Sequence, residues 1–453
     1  MAAIGVLTLI GSPAAAEDWA RFRGPNGTGI STDAEPTPVE WSPTKNLKWK
    51  VRLPGPGSSS PIVVGDRVIV TCWSGYGVDR NDPGDQANLV RHLLCYDRND
   101  GSLIWERKID SVLPEDQYGG MFAEHGYASH TPVSDGQRIF AFFGKTGLHA
   151  FDMDGNPLWS KTLGSESDPR GWGSASSPIL YGKLVIVPAI AESEALVALD
   201  QETGNEVWRQ EAQGFGGTWG TPILVPVDGE RTDLVMGVPY EIWAFNPETG
   251  KLRWFCTAMD TNSYCSSVVA QDSVVYGIEG RGGGSIAVKA GGSGDVTSSN
   301  VVWSGQDSSR IGTPLLSGGK LFAISGGVMT CIDAASGKRL FQGRLSSPRG
   351  NAAEATPQPQ QGGPGQGRGG RGGGRGGMGG QDYSSPVAAG DRLYYVSRSG
   401  EMYVLKMGEM FEELARNRVT DEVEDFSATP AISRGALFIR SSAHLYCVAE
   451  AGS

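Results

Sequence analysis

The stretch MFAEHGYASHTP, residues 121–132, places His125, Tyr127 and His130 within six residues of one another. Two imidazoles and a phenol at that spacing suit proton transfer near neutral pH, the chemistry of a lyase or hydrolase. Histidines five apart also open a metal site on paper, but no third ligand accompanies them and no metal is expected. Comparable stretches follow: RGWGSASSP, GFGGTWGTP, SYCSSV, SRIGTP and QDYSSP bring Arg170, Trp172, Trp219, Tyr264, Arg310 and Tyr383. Other loops add Lys145, Tyr240, Glu241, Glu279, Arg281, Arg398 and Arg440. Aromatic and arginine side chains gathered on a concave rim suit the recognition of peptides, sugars or small acids. The plainer alternative for each is packing between loops.

What must position these residues is a repeat. CYDRNDGSLIWER (95–107), AFDMDGNPLWSK (150–161), ALDQETGNEVWRQ (198–210), AFNPETGKLRWFC (244–256) and CIDAASGKRLFQG (331–343) share one internal spacing. In each, a glycine precedes an aromatic residue by four: Gly101/Trp105, Gly155/Trp159, Gly204/Trp208, Gly250/Trp254 and Gly337/Phe341. A second landmark, Ser or Thr usually followed by Pro, recurs at Ser60, Thr131, Ser177, Thr221, Ser267, Thr313, Ser385 and Thr429. Most intervals are 44–46 residues, and the two of 71 and 72 each contain an insertion, so there are eight units. Apolar runs of four to eight residues bounded by Gly, Asp and Asn read as strands. Four short strands per unit make the blade of an all-β, eight-bladed propeller. The segment TKNLKWKVRL (44–53) carries Trp49 before any unit begins, while the eighth unit lacks its own tryptophan strand. It is expected to supply that strand and close the ring.

In this reading the glycine turns the chain between the third and fourth strands, and Trp49, Trp105, Trp159, Trp208, Trp254, Trp303 and Phe341 dock between blades. The recurring Asp97, Asp152, Asp200 and Asp333 sit at one structural position and read as turn caps rather than catalytic carboxylates. In blade seven the motif has decayed to VLKMGEMFEELARN, for which a short helical detour is an option.

Composition narrows the function. The chain has 453 residues, a formal charge of −11, 66 glycines and 26 prolines. An acidic chain lacks the basic footprint that nucleic acid requires. No segment has the roughly 18 consecutive apolar residues of a membrane helix. Residues 1–16 have an apolar run and an Ala14-Ala15-Ala16 site like a secretory signal, without its basic beginning. Residues 17–43 form an N-terminal extension and 44–453 a single propeller. The Gly/Arg-rich insertion at 348–382 between blades six and seven is expected to be a disordered surface loop. Of six cysteines, Cys95, Cys331 and Cys447 fall in a small-residue strand position. A Cys256–Cys265 bridge stays open, and there is no C-x-x-C.

The A-x-D-x-x-T-G-x-x-x-W pattern, clearest in 198–208, resembles the tryptophan-docking repeat of pyrroloquinoline-quinone (PQQ)-like propellers over residues 44–453. The opening DWARFRGPNGTGIS also resembles the start of a group of exported bacterial proteins of that type. Members with known roles include quinoprotein alcohol dehydrogenases and the propeller subunit of the outer-membrane β-barrel assembly machinery. The resemblance implies a periplasmic or secreted protein. Dehydrogenases of this type hold PQQ with calcium beside a vicinal disulfide and an Asp base. This chain has no adjacent cysteines, and no calcium-ligand set is identifiable by motif. No cofactor is expected, with PQQ and calcium kept as the alternative. The expectation is a noncatalytic, monomeric binding or scaffold protein with a protein or glycan partner at the channel rim. A PQQ-dependent oxidoreductase is the second reading, and a lyase or hydrolase the third.

Overall fold

Short apolar runs interrupted by glycine and aspartate cannot reach helical length, and here they pair as antiparallel strands. The computed structural model describes residues 18–33, 35–280, 283–346 and 381–450. Its strands form eight sheets arranged as the blades of a propeller. Blade one runs outward through Ile62–Val64, Arg67–Ser74, Val90–Asp97 and Leu103–Asp110. Blades two to seven start at the innermost strands Val133–Ser134, Ile179–Tyr181, Ile223–Pro226, Val269–Gln271, Leu315–Ser317 and Val387–Ala389. Blade eight takes Ala431–Ser433, Ala436–Arg440 and His444–Val448 from the end of the chain, and Leu47–Arg52 from its beginning. Trp49 lies opposite Cys447 in that closing pair. The ring therefore closes without leaving a blade short of a strand.

Adjacent blades are joined at two radii. At the inner radius, the backbone N–H of Ser60 donates to the Thr131 hydroxyl at 2.9 Å. Thr131, Ser177, Thr221, Ser267, Thr313 and Ser385 each donate to the next hydroxyl in the series in the same way, ending at Thr429, at 2.9–3.0 Å. At the junction of blades eight and one, the buried Arg440 donates instead to the Ser59 carbonyl, the Ser59 hydroxyl and the Thr71 carbonyl. At the outer radius, each tryptophan lies on the turn glycine of the following blade: Trp49 on Gly101, Trp105 on Gly155, Trp159 on Gly204, Trp208 on Gly250 and Trp303 on Gly337. The indole N–H of each donates to a carbonyl of that same turn, those of Arg98, Met153, Gln201, Pro247 and Ala334. The two halves of the repeat thus serve different interfaces, the glycine facing the blade before and the tryptophan the blade after.

Blade four departs from this scheme. Trp254 is wholly buried and donates to Asp233 of its own blade. Gly294–Asp295, from the long turn of blade five, adds a fifth, parallel strand over it. Blade seven corrects an expectation: Glu413–Asn417 is a strand paired with Met402–Lys406, not a helical detour, because ladder bonds from its neighbour override the helix-favouring residues. The aspartates do cap turns. Asp200 Oδ1 accepts the N–H groups of Glu202 and Thr203, and those backbone bonds hold its carboxyl below the ordinary range.

The N-terminal extension crosses the channel. Trp19 bridges to Val63 in blade one, and the Ala20 carbonyl accepts from Ser134 in blade two. Arg23 donates to the carbonyls of Pro314 and Pro386 in blades six and seven. Ile30–Ser31 then adds a parallel strand to the innermost strand of blade seven. All these contacts lie at or beyond the hydroxyl ring, in the direction the innermost strands run. The extension stoppers that end of the channel.

The docking geometry predicts unequal costs for two glycine-to-alanine changes at positive φ. A Cβ on Gly250 (φ 70°) would lie 2.4 Å from the Trp208 ring, whereas one on Gly182 (φ 54°) meets nothing within 4 Å. Gly182→Ala is expected to cost about 1 kcal/mol from backbone strain alone, and Gly250→Ala about 2–4 kcal/mol through overpacking as well. Denaturant midpoints of the two variants check this; equal losses would refute the docking account.

Candidate functional site

Because the segments entering the innermost strands converge, the unstoppered end of the channel becomes a funnel with a cavity of about 150 Å³. Its floor is the ring of eight Ser and Thr side chains, from Ser60 to Thr429, with Phe22 of the extension beneath. Its wall includes Met121, His125, Trp172, Trp219, Glu279, Arg310 and Tyr383. Six of the residues expected at the rim are therefore brought together: His125, Trp172, Trp219, Glu279, Arg310 and Tyr383.

Their partners define what each can do. The Trp172 and Trp219 rings sit 4.8 Å apart at 32°, with the Arg170 guanidinium within 6.0 Å of both ring centroids. Arg170 thus covers the pair from the rim, and donates to the Asn262 carbonyl. His125 has both ring nitrogens engaged: Nε2 with the Trp172 carbonyl at 2.5 Å and Nδ1 with the Ser129 hydroxyl at 2.6 Å. The carbonyl requires the proton on Nε2, and burial lowers the imidazole pKa, so His125 is a neutral brace with no lone pair to spare. Glu279 is buried, and its oxygens accept the N–H groups of Cys265, Ser266 and Gly280. Burial still pushes its carboxyl up to about 7, against those three bonds and the nearby Arg310 charge. Arg310 acts electrostatically on Glu279 and Tyr383 but forms no hydrogen bond or ion pair among the described residues. Among the described residues it is the cationic side chain on the funnel wall.

The remaining candidates lie elsewhere. Tyr127 is buried in an aromatic cluster with Trp73, Tyr76, Tyr118 and Phe122, under the guanidinium of Arg91. Tertiary packing of the blade-one insertions draws it away from the channel. His130 is buried, with Nε2 on the Ser174 hydroxyl, and burial lowers its pKa to about 3. Tyr264 is fully buried over Gly237 and Gly277, filling space those glycines leave open. Tyr240 is an exposed hairpin residue at φ 69°, and the neighbouring Glu241 accepts from the Trp243 indole. Arg398 stands behind the wall, stacked on the Tyr383 ring. Arg440 is the blade-eight clamp described above, and Lys145 pairs with Asp116. Arg281 lies outside the described residues, as do residues 1–16 and most of the 348–382 insertion. Cys256 and Cys265 are not joined by a disulfide: Cys256 is buried in an outer strand, whereas Cys265 lines the funnel. The hydroxyl floor, Phe22 and Cys265 are funnel residues the sequence reading missed. The floor's signal was present in the eightfold Ser/Thr landmark, read there only as strand starts.

Among the described residues, Glu422, Glu424 and His444 form a group of potential metal ligands. Glu424 is already shared by His444, Ser441 and Tyr446, and Glu422 pairs with Lys50, so the group is an internal polar network.

A family profile described as outer membrane protein assembly factor BamB matches residues 86–192 and 191–364. The chain belongs to this PQQ-like propeller family. Solved structures agree on the fold. BamB from Moraxella catarrhalis is 14% identical, with a TM-score of 0.56 over 89% of this chain and 99% of its own. A europium-containing methanol dehydrogenase is 12% identical, with a TM-score of 0.63 over 96% and 98%. The quinohemoprotein alcohol dehydrogenase from Comamonas testosteroni is 11% identical, with a TM-score of 0.59 over 95% and 80%. No curated protein sequence matches the chain. An assembly factor and dehydrogenases share this fold, so the fold leaves the choice of function to the funnel.

Outside the funnel, in the turn after the second strand of blade three, Glu192 is buried with Oε2 bonded to none of the described residues, and burial pushes its carboxyl up to about 7 from an ordinary 4.5. The folded state therefore holds its proton where the unfolded state has lost it, so Glu192 costs stability progressively as pH rises from about 4.5 to 7. Glu192→Gln carries no such cost. Its melting temperature is expected to rise relative to wild type across that window, by a free energy on the order of a few kcal/mol, and then to level off. Thermal melts of both proteins at pH 5 and 8 test this; a pH-independent difference would refute it.

Proposed function

We propose that the chain is a noncatalytic, monomeric binding protein of the cell envelope whose funnel receives a projecting segment of a protein partner. The observation that carries this reading is the funnel itself: stoppered at one end, walled by Trp172, Trp219 and Tyr383, and holding Arg310, which has no ion-pair partner among the described residues. Aromatic and arginine anchors in a concave, desolvated site are the groups that dominate protein recognition. An acidic side chain or chain terminus on the entering segment would meet Arg310, and apolar groups beside it would meet the indoles. A glycan is the other partner such a rim suits. The family name and the signal-like sequence of residues 1–16 support an envelope location.

The enzyme readings gain less support. Calcium takes about six to eight oxygen ligands, and the carboxylate on the funnel wall, Glu279, already accepts three backbone N–H bonds. These residues do not fit PQQ with calcium. Acid–base chemistry by the histidines is disfavoured, because His125 is fully engaged and His130 and Tyr127 are buried outside the funnel.

A photoreactive residue placed at position 172 is expected to crosslink one discrete envelope protein in intact cells. The same residue at Leu158, exposed on the outer strand of blade two, should not. Equal crosslinking from both positions, or none from 172, would overturn the proposal. Calorimetry of the purified chain with PQQ and calcium is expected to show no saturable binding; one-to-one binding would revive the oxidoreductase.

A further inference from the structure

The two insertions of blade one come together at the funnel mouth. The second, after the outer strand Leu103–Asp110, passes Gly119 and Gly120 into the turn Phe122–Glu124. Side chains on or beside this turn reach three sides of the ring. Met121 and His125 line the funnel. His125 reaches the Trp172 carbonyl at the entry to blade three. Glu124 points the other way, its side chain only 4% exposed. One carboxylate oxygen accepts from Arg80 of the first insertion at 2.8 Å, and the other from Arg398 of blade seven at 2.5 Å. Arg398 also pairs with Asp425, on the segment entering blade eight, and stacks 5.1 Å from the centroid of Tyr383, a wall residue.

This arrangement is poorly explained as stabilisation of the ring, which closes through Leu47–Arg52 and the hydroxyl series without it. An ion pair linking residues 274 positions apart across an open mouth constrains the loop that carries Met121 and His125. The two glycines before the turn are not packed against side chains, since a Cβ on either would meet nothing within 4 Å, and the Gly120 carbonyl is held by Arg80, itself part of the clasp, at 3.1 Å. The outer members of the clasp, Arg80 and Asp425, are exposed, which makes it sensitive to salt or to a competing carboxylate. An acidic partner segment of the kind proposed above would be such a competitor.

We infer that the 119–126 loop is a latch over the funnel, closed by Glu124 between Arg80 and Arg398 and opened when that ionic clasp is exchanged. This rests on the funnel being the binding site, and it adds how entry is controlled.

The chain carries its own reporter. Cys265 lines the funnel, while Cys72, Cys95, Cys256, Cys331 and Cys447 are fully buried in the sheets. Alkylation by iodoacetamide, followed by peptide mass spectrometry, therefore reads access to the funnel without any ligand. Glu124→Gln is expected to raise the Cys265 alkylation rate at least threefold. Raising sodium chloride from 0.05 to 1 M should speed the wild type but leave the variant unchanged. Arg398→Gln provides a second test from the opposite side of the clasp, and Cys265→Ser should remove the signal. Equal rates in wild type and both variants, or the same salt response in all three, would overturn the latch. That failure would leave the crosslink at position 172 standing, whereas loss of the crosslink with a working latch would point against the binding reading alone.

Discussion

The indoles of Trp49, Trp105, Trp159, Trp208 and Trp303 need a flat surface to lie on, and the surface is a glycine of the neighbouring blade. A side chain at Gly101, Gly155, Gly204, Gly250 or Gly337 would enter the ring it supports, with Cβ distances of 2.4–2.8 Å. Positive φ at these turns presents the bare Cα to the ring, and the indole N–H reaches a carbonyl of the same turn. Blade spacing at the outer radius follows from that contact. At the inner radius it follows from a second constraint, a backbone N–H bound to the next blade's hydroxyl. With both radii set, the number of blades and the width of the channel have little freedom.

The funnel is a consequence of those constraints. The hydroxyl series that joins the innermost strands is also its floor, so the residues that hold the ring are the ones a ligand would meet at its base. The N-terminal extension uses Arg23 and Trp19 to stopper the far end. Arg23 is buried and bonded to carbonyls, and burial lowers its pKa to about 9. It acts as a rivet, whereas Arg310 is held on the funnel wall by the loop entering blade six. The difference between the two arginines lies wholly in their surroundings.

Much of the architecture was legible because its signals are local and repeated. Gly-x-x-x-Trp, the Asp turn cap and the Ser/Thr landmark each recur at the same strand position, and repetition separates them from chance. The site was less legible because its residues do not repeat. His125, Trp172 and Tyr383 belong to segments of the same kind as those of Tyr127, His130 and Tyr264, yet the first three face the funnel and the others do not. Their fates turn on neighbours far away in sequence: Gly237 and Gly277 leave the space that takes Tyr264, and Trp73 and Tyr118 draw in Tyr127. The decayed repeat of blade seven is the converse case, where a weak local signal gave way to ladder bonds.

The sequence by itself determined the eight-bladed ring, its closure by the strand around Trp49, and the roles of the turn aspartates, since each depends on spacing along a few dozen residues. Only the tertiary structure decided that glycine and tryptophan of one repeat serve opposite interfaces, that the Ser/Thr landmark is a hydrogen-bonded floor, and that the N-terminal extension is a stopper. It also decided which charges are spent. Glu124 and Arg398 satisfy each other across the mouth, Arg440 is sealed between blades, and Arg310 has no ion-pair partner among the described residues. Burial and pairing depend on distances between segments tens to hundreds of residues apart, and spacing along the chain carries no record of them.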